Sequence, residues 1–231
     1  MLDLNKLEGT KKKDYEASLL RKLLRILSLP IANALKNSFI TPNMITFFYL
    51  ILSFPIAYLF YLNTAKTNLI GAFLLFLILI LDKVDGSLAR IKGIQNDYGF
   101  WLDRVLNDFS RIVIFLGVTW GAANQFGDIY WLFGFLLISS YLLMAITYEI
   151  FRFLFSEGNN FISGFKSKMW IVRQVYYGDP LASVLLILFA LFNRLDLFLI
   201  LVGSYGILSV IIQTIIFTIK AKRYDKGNSQ D

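Results

Sequence analysis

Six long apolar segments, near residues 43–63, 69–92, 99–123, 129–153, 179–194 and 196–219, constrain this chain more than any other feature. A helix needs roughly 20 predominantly apolar residues to cross a bilayer. The pattern predicts an all-α integral membrane protein with six transmembrane helices. The second segment is purely apolar only from Leu69 to Leu81, so it spans only if its helix continues to about Lys92. The fifth is short. Hydrophobic residues make up 57% of the 231-residue chain, against about 45–50% in a soluble domain. One compact membrane unit is the expectation.

Ahead of the spans, residues 1–14 carry Lys6, Lys11, Lys12 and Lys13 and read as a solvated tail. Residues 1–18 are too polar for the apolar core of a secretory signal, so the first span is expected to act as an uncleaved anchor. From Tyr15 to about Leu29, Leu19, Leu20, Leu23, Leu24 and Leu27 recur at helical spacing, opposite Arg21, Lys22 and Arg25. This predicts an N-terminal amphipathic helix at the membrane–water interface; a helix packed on the rest of the protein is the alternative. Pro30 is expected to break or bend it. The domain reading is therefore 1–42 for tail and amphipathic helix, and 43–231 for the membrane domain.

Six spans put both termini on one side, and basic residues decide which side. Only Lys66 and Arg194 fall at the far-side connections. Lys83, Arg90, Lys92, Arg152, Lys166, Lys168, Arg173 and the basic ends all fall on the near side. The near side, with both termini, should be cytoplasmic, at a cell (inner) membrane. Its longest connection, 154–178, has room for a short interfacial helix.

The chain has no cysteine and no histidine. Disulfides, thiolate chemistry and imidazole catalysis are excluded, which leaves carboxylates, Lys, Arg, hydroxyls or a metal. The formal net charge of +7 suits anionic headgroups and phosphorylated substrates. Nothing beyond that charge supports a nucleic-acid partner.

Between Asp82 and Asp108 the chain reads DKVDGSLARIKGIQNDYGFWLDRVLND. Acidic groups between membrane segments usually face a cavity, a partner or a metal. Asp82, Asp85, Gly86 and Ala89 lie at i, i+3, i+4 and i+7, on one helical stripe. Two carboxylates are thus followed by two nearly bare positions, where a flat base or a diphosphate could approach the backbone. Arg90 beside them can form charge-assisted bonds to phosphate. On the next helix Gly99, Asp103 and Asn107 repeat the stripe. If the helices face each other, three carboxylates converge and call for a cation, and hard oxygen ligands indicate Mg²⁺ or Mn²⁺.

Written with spacings the run is D-x2-D-G-x2-A-R-x8-G-x3-D-x3-N, which resembles the signature of the CDP-alcohol phosphotransferases. That signature ends in a fourth aspartate where this chain has Asn107; the other seven fixed positions match. Thr41-Pro42-Asn43-Met44-Ile45-Thr46 also resembles a TPNxxT that family members often carry before the first span. The resemblance implies a homodimer of six-span protomers with a polar cavity open to the cytoplasm. It implies two divalent cations gripping the diphosphate of a CDP-linked lipid, usually CDP-diacylglycerol, and an alcohol acceptor that displaces CMP. By the same resemblance Asp82, Asp85 and Asp103, with Asn107, would hold metal. Gly86, Ala89 and Arg90 would line the nucleotide and diphosphate site, with Asn43 and Thr46 near the cytidine. Arg111, Arg152, Lys166, Lys168 and Arg173 are candidates for a phosphorylated acceptor; basic residues at that face also simply meet headgroups.

Asn107 stands where the family has its general base, and an amide oxygen can ligate a cation but cannot accept a proton at neutral pH. Four readings follow: an active enzyme with another base such as water or Asp97, a relative that binds CDP-lipid without turnover, a variant reaction, or an introduced substitution. A cation transporter is a rival from another class, but it would place polar residues at mid-membrane depth on several helices. It also leaves Gly86, Ala89 and Arg90 unexplained.

Overall fold

The structure, a computed structural model, describes residues 19–155 and 181–228. These residues form seven helices: α1 (Leu19–Leu35), α2 (Pro42–Leu62), α3 (Ala65–Lys92), α4 (Asp97–Phe126), α5 (Ile129–Phe155), α6 (Leu181–Leu191) and α7 (Leu195–Asn228). Four stretches, Pro42–Leu62, Asp97–Phe126, Ile129–Phe151 and Leu195–Ile219, are long and apolar enough to cross a membrane. Helix α3 runs unbroken through the first half of the acidic motif, to Lys92. Its 28 residues reach about 42 Å at 1.5 Å per residue.

Local signals explain the helix ends near the motif. Thr41 caps α2 by accepting from the Met44 amide, with Pro42 at the first helical position. Gly93 closes α3 at φ +67°, a conformation that costs glycine nothing. Asn96 then caps α4 by accepting from the Gly99 amide at 2.7 Å. Helix α1 differs from expectation: it passes through Pro30 and ends at Leu35. A proline inside a helix forfeits one backbone hydrogen bond. Here Leu29 and Ala32, on either side of it, are fully buried in a helix packed on α3, and that burial offsets the loss. The leucine stripe divides: Leu24 points inward, while Leu23 and Leu27 stay exposed with Ile31.

Helix α2 packs on both α3 and α4, α5 packs on α4 and α7, and α6 packs on α3 and α7. The motif helices α3 and α4, although consecutive, are not among the closely packed pairs. They flank a gap that α2 backs. At the opposite end α2 and α4 nearly touch. A Cβ at Gly117 would overlap the Ala57 backbone, and one at Gly121 would overlap the Phe60 carbonyl oxygen.

Exposed tyrosine and tryptophan side chains mark two levels along α4, with Phe109 exposed between them. Tyr98, Phe100 and Trp101 stand at the motif end, and Trp120 at the other, near Tyr61 and Trp131. Trp101 and Trp120 are 19 residues apart in sequence, or about 28 Å at 1.5 Å per residue. That is close to the roughly 30 Å hydrocarbon thickness, and aromatic belts favour both interfaces.

Candidate functional site

Three helices bring the site together at the motif end of the bundle. Helix α2 supplies Asn43, Thr46 and Tyr49 from its first turns. Helix α3 supplies Asp82, Asp85, Gly86, Ala89 and Arg90 from its last turns. Helix α4 supplies Asp103, Asn107 and Arg111.

The carboxylates gather across the gap. Asp85 is 3% exposed. Its Oδ2 accepts from the Thr46 hydroxyl at 3.0 Å, and its Oδ1 from the Gly86 amide at 2.6 Å. Asp103 Oδ1 accepts from the Tyr49 hydroxyl at 2.9 Å and from Asn107 Nδ2 at 3.3 Å. Asp85 and Asp103 are near enough for each charge to act on the other. Asp82, 9% exposed, accepts from Lys83 Nζ on one oxygen and from Asn107 Nδ2 on the other. The Asn107 amide therefore bridges α3 and α4. Its own carbonyl oxygen is buried without a hydrogen-bond partner. Buried polar atoms are normally satisfied, so this oxygen stands out, on the other side of the amide from the nitrogen that meets the acids.

Arg111 lies one turn beyond Asn107 on the same stripe and is 2% exposed. Its charge acts on Asp82, so it serves the cluster as a counter-charge from within the bundle. Arg152 lies on α5, and Lys166, Lys168 and Arg173 fall outside the described residues.

Among the described residues, no three acidic side chains stand as a ready cation cage. The hydrogen bonds give a physical reason: both oxygens of Asp82 are turned towards donors. The donor set nonetheless fits a hard cation. It offers carboxylates and, if the Asn107 amide turns over, an amide oxygen, without imidazole or sulfur ligands.

The small residues near the acids differ from those elsewhere. Glycine inside a helix costs roughly 1 kcal/mol relative to alanine, so each one calls for a reason. Gly117 and Gly121 have theirs in the backbone of α2. Gly86 does not: a Cβ there would meet only Arg90 Nη1 at 3.6 Å, an ordinary contact. Protein packing leaves room over Gly86 that a ligand could use. Gly99 is intermediate, since a Cβ would come 3.2 Å from Asn96 Oδ1 and 3.6 Å from Asn43 Oδ1. That second distance also sets Asn43 across from the start of α4.

Sequence reasoning missed Tyr49 and Lys83. Tyr49 is fully buried and lies three residues beyond Thr46, on the buried stripe that continues through Ser53, Ile56 and Phe60. That spacing was the available signal. Lys83 follows Asp82 directly, and adjacent helical residues do not face each other, so no pattern announces the pair. Lys92 also has a local task. Its ammonium donates to the Ser38 and Ile40 carbonyls at 2.7 and 2.8 Å, tying the α1–α2 connection to the end of α3. Asp108, adjacent to Asn107, turns away and accepts from the Tyr141 hydroxyl on α5 at 2.7 Å.

Several known proteins are similar to this chain. An uncharacterized protein of Aquifex aeolicus is 35% identical over 102 residues, covering 43% of this chain and 48% of that protein. A phosphatidylinositol phosphate synthase of Cutibacterium acnes is 29% identical over 109 residues, covering 44% and 48%. An archaetidylinositol phosphate synthase of Pyrococcus horikoshii is 31% identical over 114 residues, covering 49% and 56%. The chain thus spans about half the length of the curated relatives it matches. A family model covers far more, from residue 39 to residue 220, and it encloses every helix that contributes to the acid cluster. By that match the chain belongs to the CDP-alcohol phosphatidyltransferase family.

Proposed function

We propose that this chain is a phospholipid-synthesising transferase that moves a phosphatidyl or similar group from a CDP-linked lipid, such as CDP-diacylglycerol, to an alcohol. The observation that carries the reading is the convergence of Asp82, Asp85, Asp103 and the Asn107 amide on the end of α3 whose Gly86 backbone is left uncovered. Six spans, with the motif end and both termini cytoplasmic and a homodimer as the unit, complete the proposal. The basic asymmetry and the aromatic levels support the membrane placement.

Asp82, Asp85, Asp103 and Asn107 would hold Mg²⁺ or Mn²⁺, which when bound would offset charge on the bridging and leaving oxygens of a diphosphate. Thr46 and Tyr49 fix the orientation of Asp85 and Asp103. Gly86 and Ala89 let the diphosphate lie close to α3, where Arg90 can pair with phosphate oxygens. Asn43 and Thr46 border the same opening from α2, on the side proposed for cytidine. The acceptor hydroxyl forms a bond to the lipid-bearing phosphorus, the bond to the bridging oxygen breaks, and CMP leaves with that oxygen. The acceptor proton goes to water or a carboxylate, because the Asn107 amide cannot take it.

The names of two relatives favour an inositol phosphate acceptor. Arg152, Lys166, Lys168 and Arg173 are the proposed basic residues for its phosphate, with Arg111 behind the acids. A second reading has one specific observation behind it: the amide at 107 bridges two carboxylates and supplies no base. The chain would then bind CDP-lipid without turnover. The test is CMP release by the purified chain with CDP-diacylglycerol, Mg²⁺ or Mn²⁺, and inositol phosphate, glycerol phosphate or serine. Release that depends on both metal and acceptor is expected. Metal-dependent CDP-lipid binding without CMP would favour the second reading, and neither binding nor release would overturn both.

A further inference from the structure

The acid cluster carries its own cation. Lys83 Nζ sits on Asp82 Oδ2, Asn107 Nδ2 sits on Asp82 Oδ1, and the Lys83 charge also reaches Asp103. With Arg111 below, three carboxylates face two positive side chains and one amide. The Lys83 pairing is not one that a helix favours, because side chains at i and i+1 diverge by about 100°. The four-carbon stem must fold back towards its neighbour, at a cost in rotamer freedom. Lys83 is also the more exposed partner, with 34% of its side chain accessible against 6% for Asp82. It can therefore leave towards solvent while Asp82 stays.

The geometry points to Lys83 as a displaceable latch: its ammonium holds Asp82 in the cation-free state, and a divalent ion must evict it to gain that carboxylate. The inference rests on the metal-site reading above and adds to it a competitor built into the chain. It also predicts that this chain binds divalent ions more weakly than its carboxylates alone would allow.

The test is direct Mn²⁺ binding to the full chain in lipid nanodiscs, read from the electron paramagnetic resonance signal of unbound Mn²⁺. No substrate is present, so the readout is independent of turnover. Lys83→Met should tighten Mn²⁺ binding by about tenfold, the effect expected for a partly buried charged hydrogen bond. A direct competitor should keep most of that effect at about 0.5 M salt, where long-range fields are screened. Lys83→Arg retains the charge and reach and should bind as the wild type does. Asp82→Asn should weaken binding. Wild-type affinity in Lys83→Met, a gain that vanishes in high salt, or an equal gain in Lys83→Arg would overturn the latch. If Asp82→Asn still weakens binding in those cases, the metal site stands without it. No Mn²⁺ binding by any variant would overturn the metal site and the latch together.

Discussion

Replacing Asn107 by aspartate tests both the chemistry and the electrostatics of the cluster. In the wild type the amide donates to Asp82 and, at 3.3 Å, to Asp103. Asn107→Asp removes both donors and adds a fourth carboxylate. A hydrogen bond to a charged acceptor contributes about 1.5–3 kcal/mol, although the longer of these two is weak. A new like charge roughly 4 Å away costs about 4 kcal/mol at an effective dielectric near 20, and Lys83 and Arg111 offset part of that. A net loss of about 3 kcal/mol without metal is the expected result. For a chain of 231 residues that corresponds to a melting temperature lower by about 6–12 °C. Saturating Mn²⁺ should restore it, because binding to the folded state stabilises by mass action. Turnover should move the other way. A restored base raises a rate by about 10²–10⁴-fold, measured as CMP released from CDP-diacylglycerol in the presence of inositol phosphate. An unchanged rate together with an unchanged metal-free melting temperature would refute the reasoning, since position 107 would then face neither the acids nor the reaction.

Other substitutions separate packing from chemistry. Gly86→Ala should leave the melting temperature unchanged or raise it slightly, the helical gain being about 1 kcal/mol. It should still weaken metal-dependent CDP-lipid binding at least about tenfold, and Gly117→Val, which drives a side chain into the Ala57 backbone, should abolish folded protein on size exclusion. Tyr49→Phe keeps the buried ring and loses one hydrogen bond to Asp103. CMP release should fall about tenfold with a shift of only a few degrees in melting temperature. Far from the site, Asn68 donates to Asn63 Oδ1 at 2.9 Å and to Asn193 Oδ1 at 2.7 Å, joining two connections whose asparagines take left-handed conformations. Asn68→Leu should cost about 2–3 kcal/mol in thermal unfolding and leave Mn²⁺ affinity unchanged.

Much of the fold was legible because apolar length and helix caps are local. The segments near 43–63, 69–92, 99–123 and 129–153 correspond to α2, α3, α4 and α5 within a few residues. Thr41-Pro42, Gly93 and Asn96 mark ends that backbone chemistry requires. Pro30 misled because its penalty is local while the packing of Leu29 and Ala32 on α3 is tertiary. The site was legible in its acids, since their spacing defines helical stripes. It was not legible in Tyr49, whose partner lies 54 residues away, or in Lys83, whose pairing runs against helical geometry. Nor could spacing reveal that α3 and α4 stand apart with α2 behind them.

The two ends of the bundle are joined by residues of different kinds along α2 and α4. At the far end Gly117 and Gly121 bring the two backbones together, and the contact excludes anything larger than hydrogen. At the motif end α2 presents Thr46 and Tyr49, whose hydroxyls donate to Asp85 and Asp103. Close packing at one end fixes where α2 and α4 lie, while at the other α3 and α4 meet through polar side chains rather than close backbone contact. A gap bridged only by side chains can be re-bridged by a ligand without moving a helix. Binding then need not work against the apolar contacts that stabilise the bundle, and mutations at the two ends should act almost additively on stability.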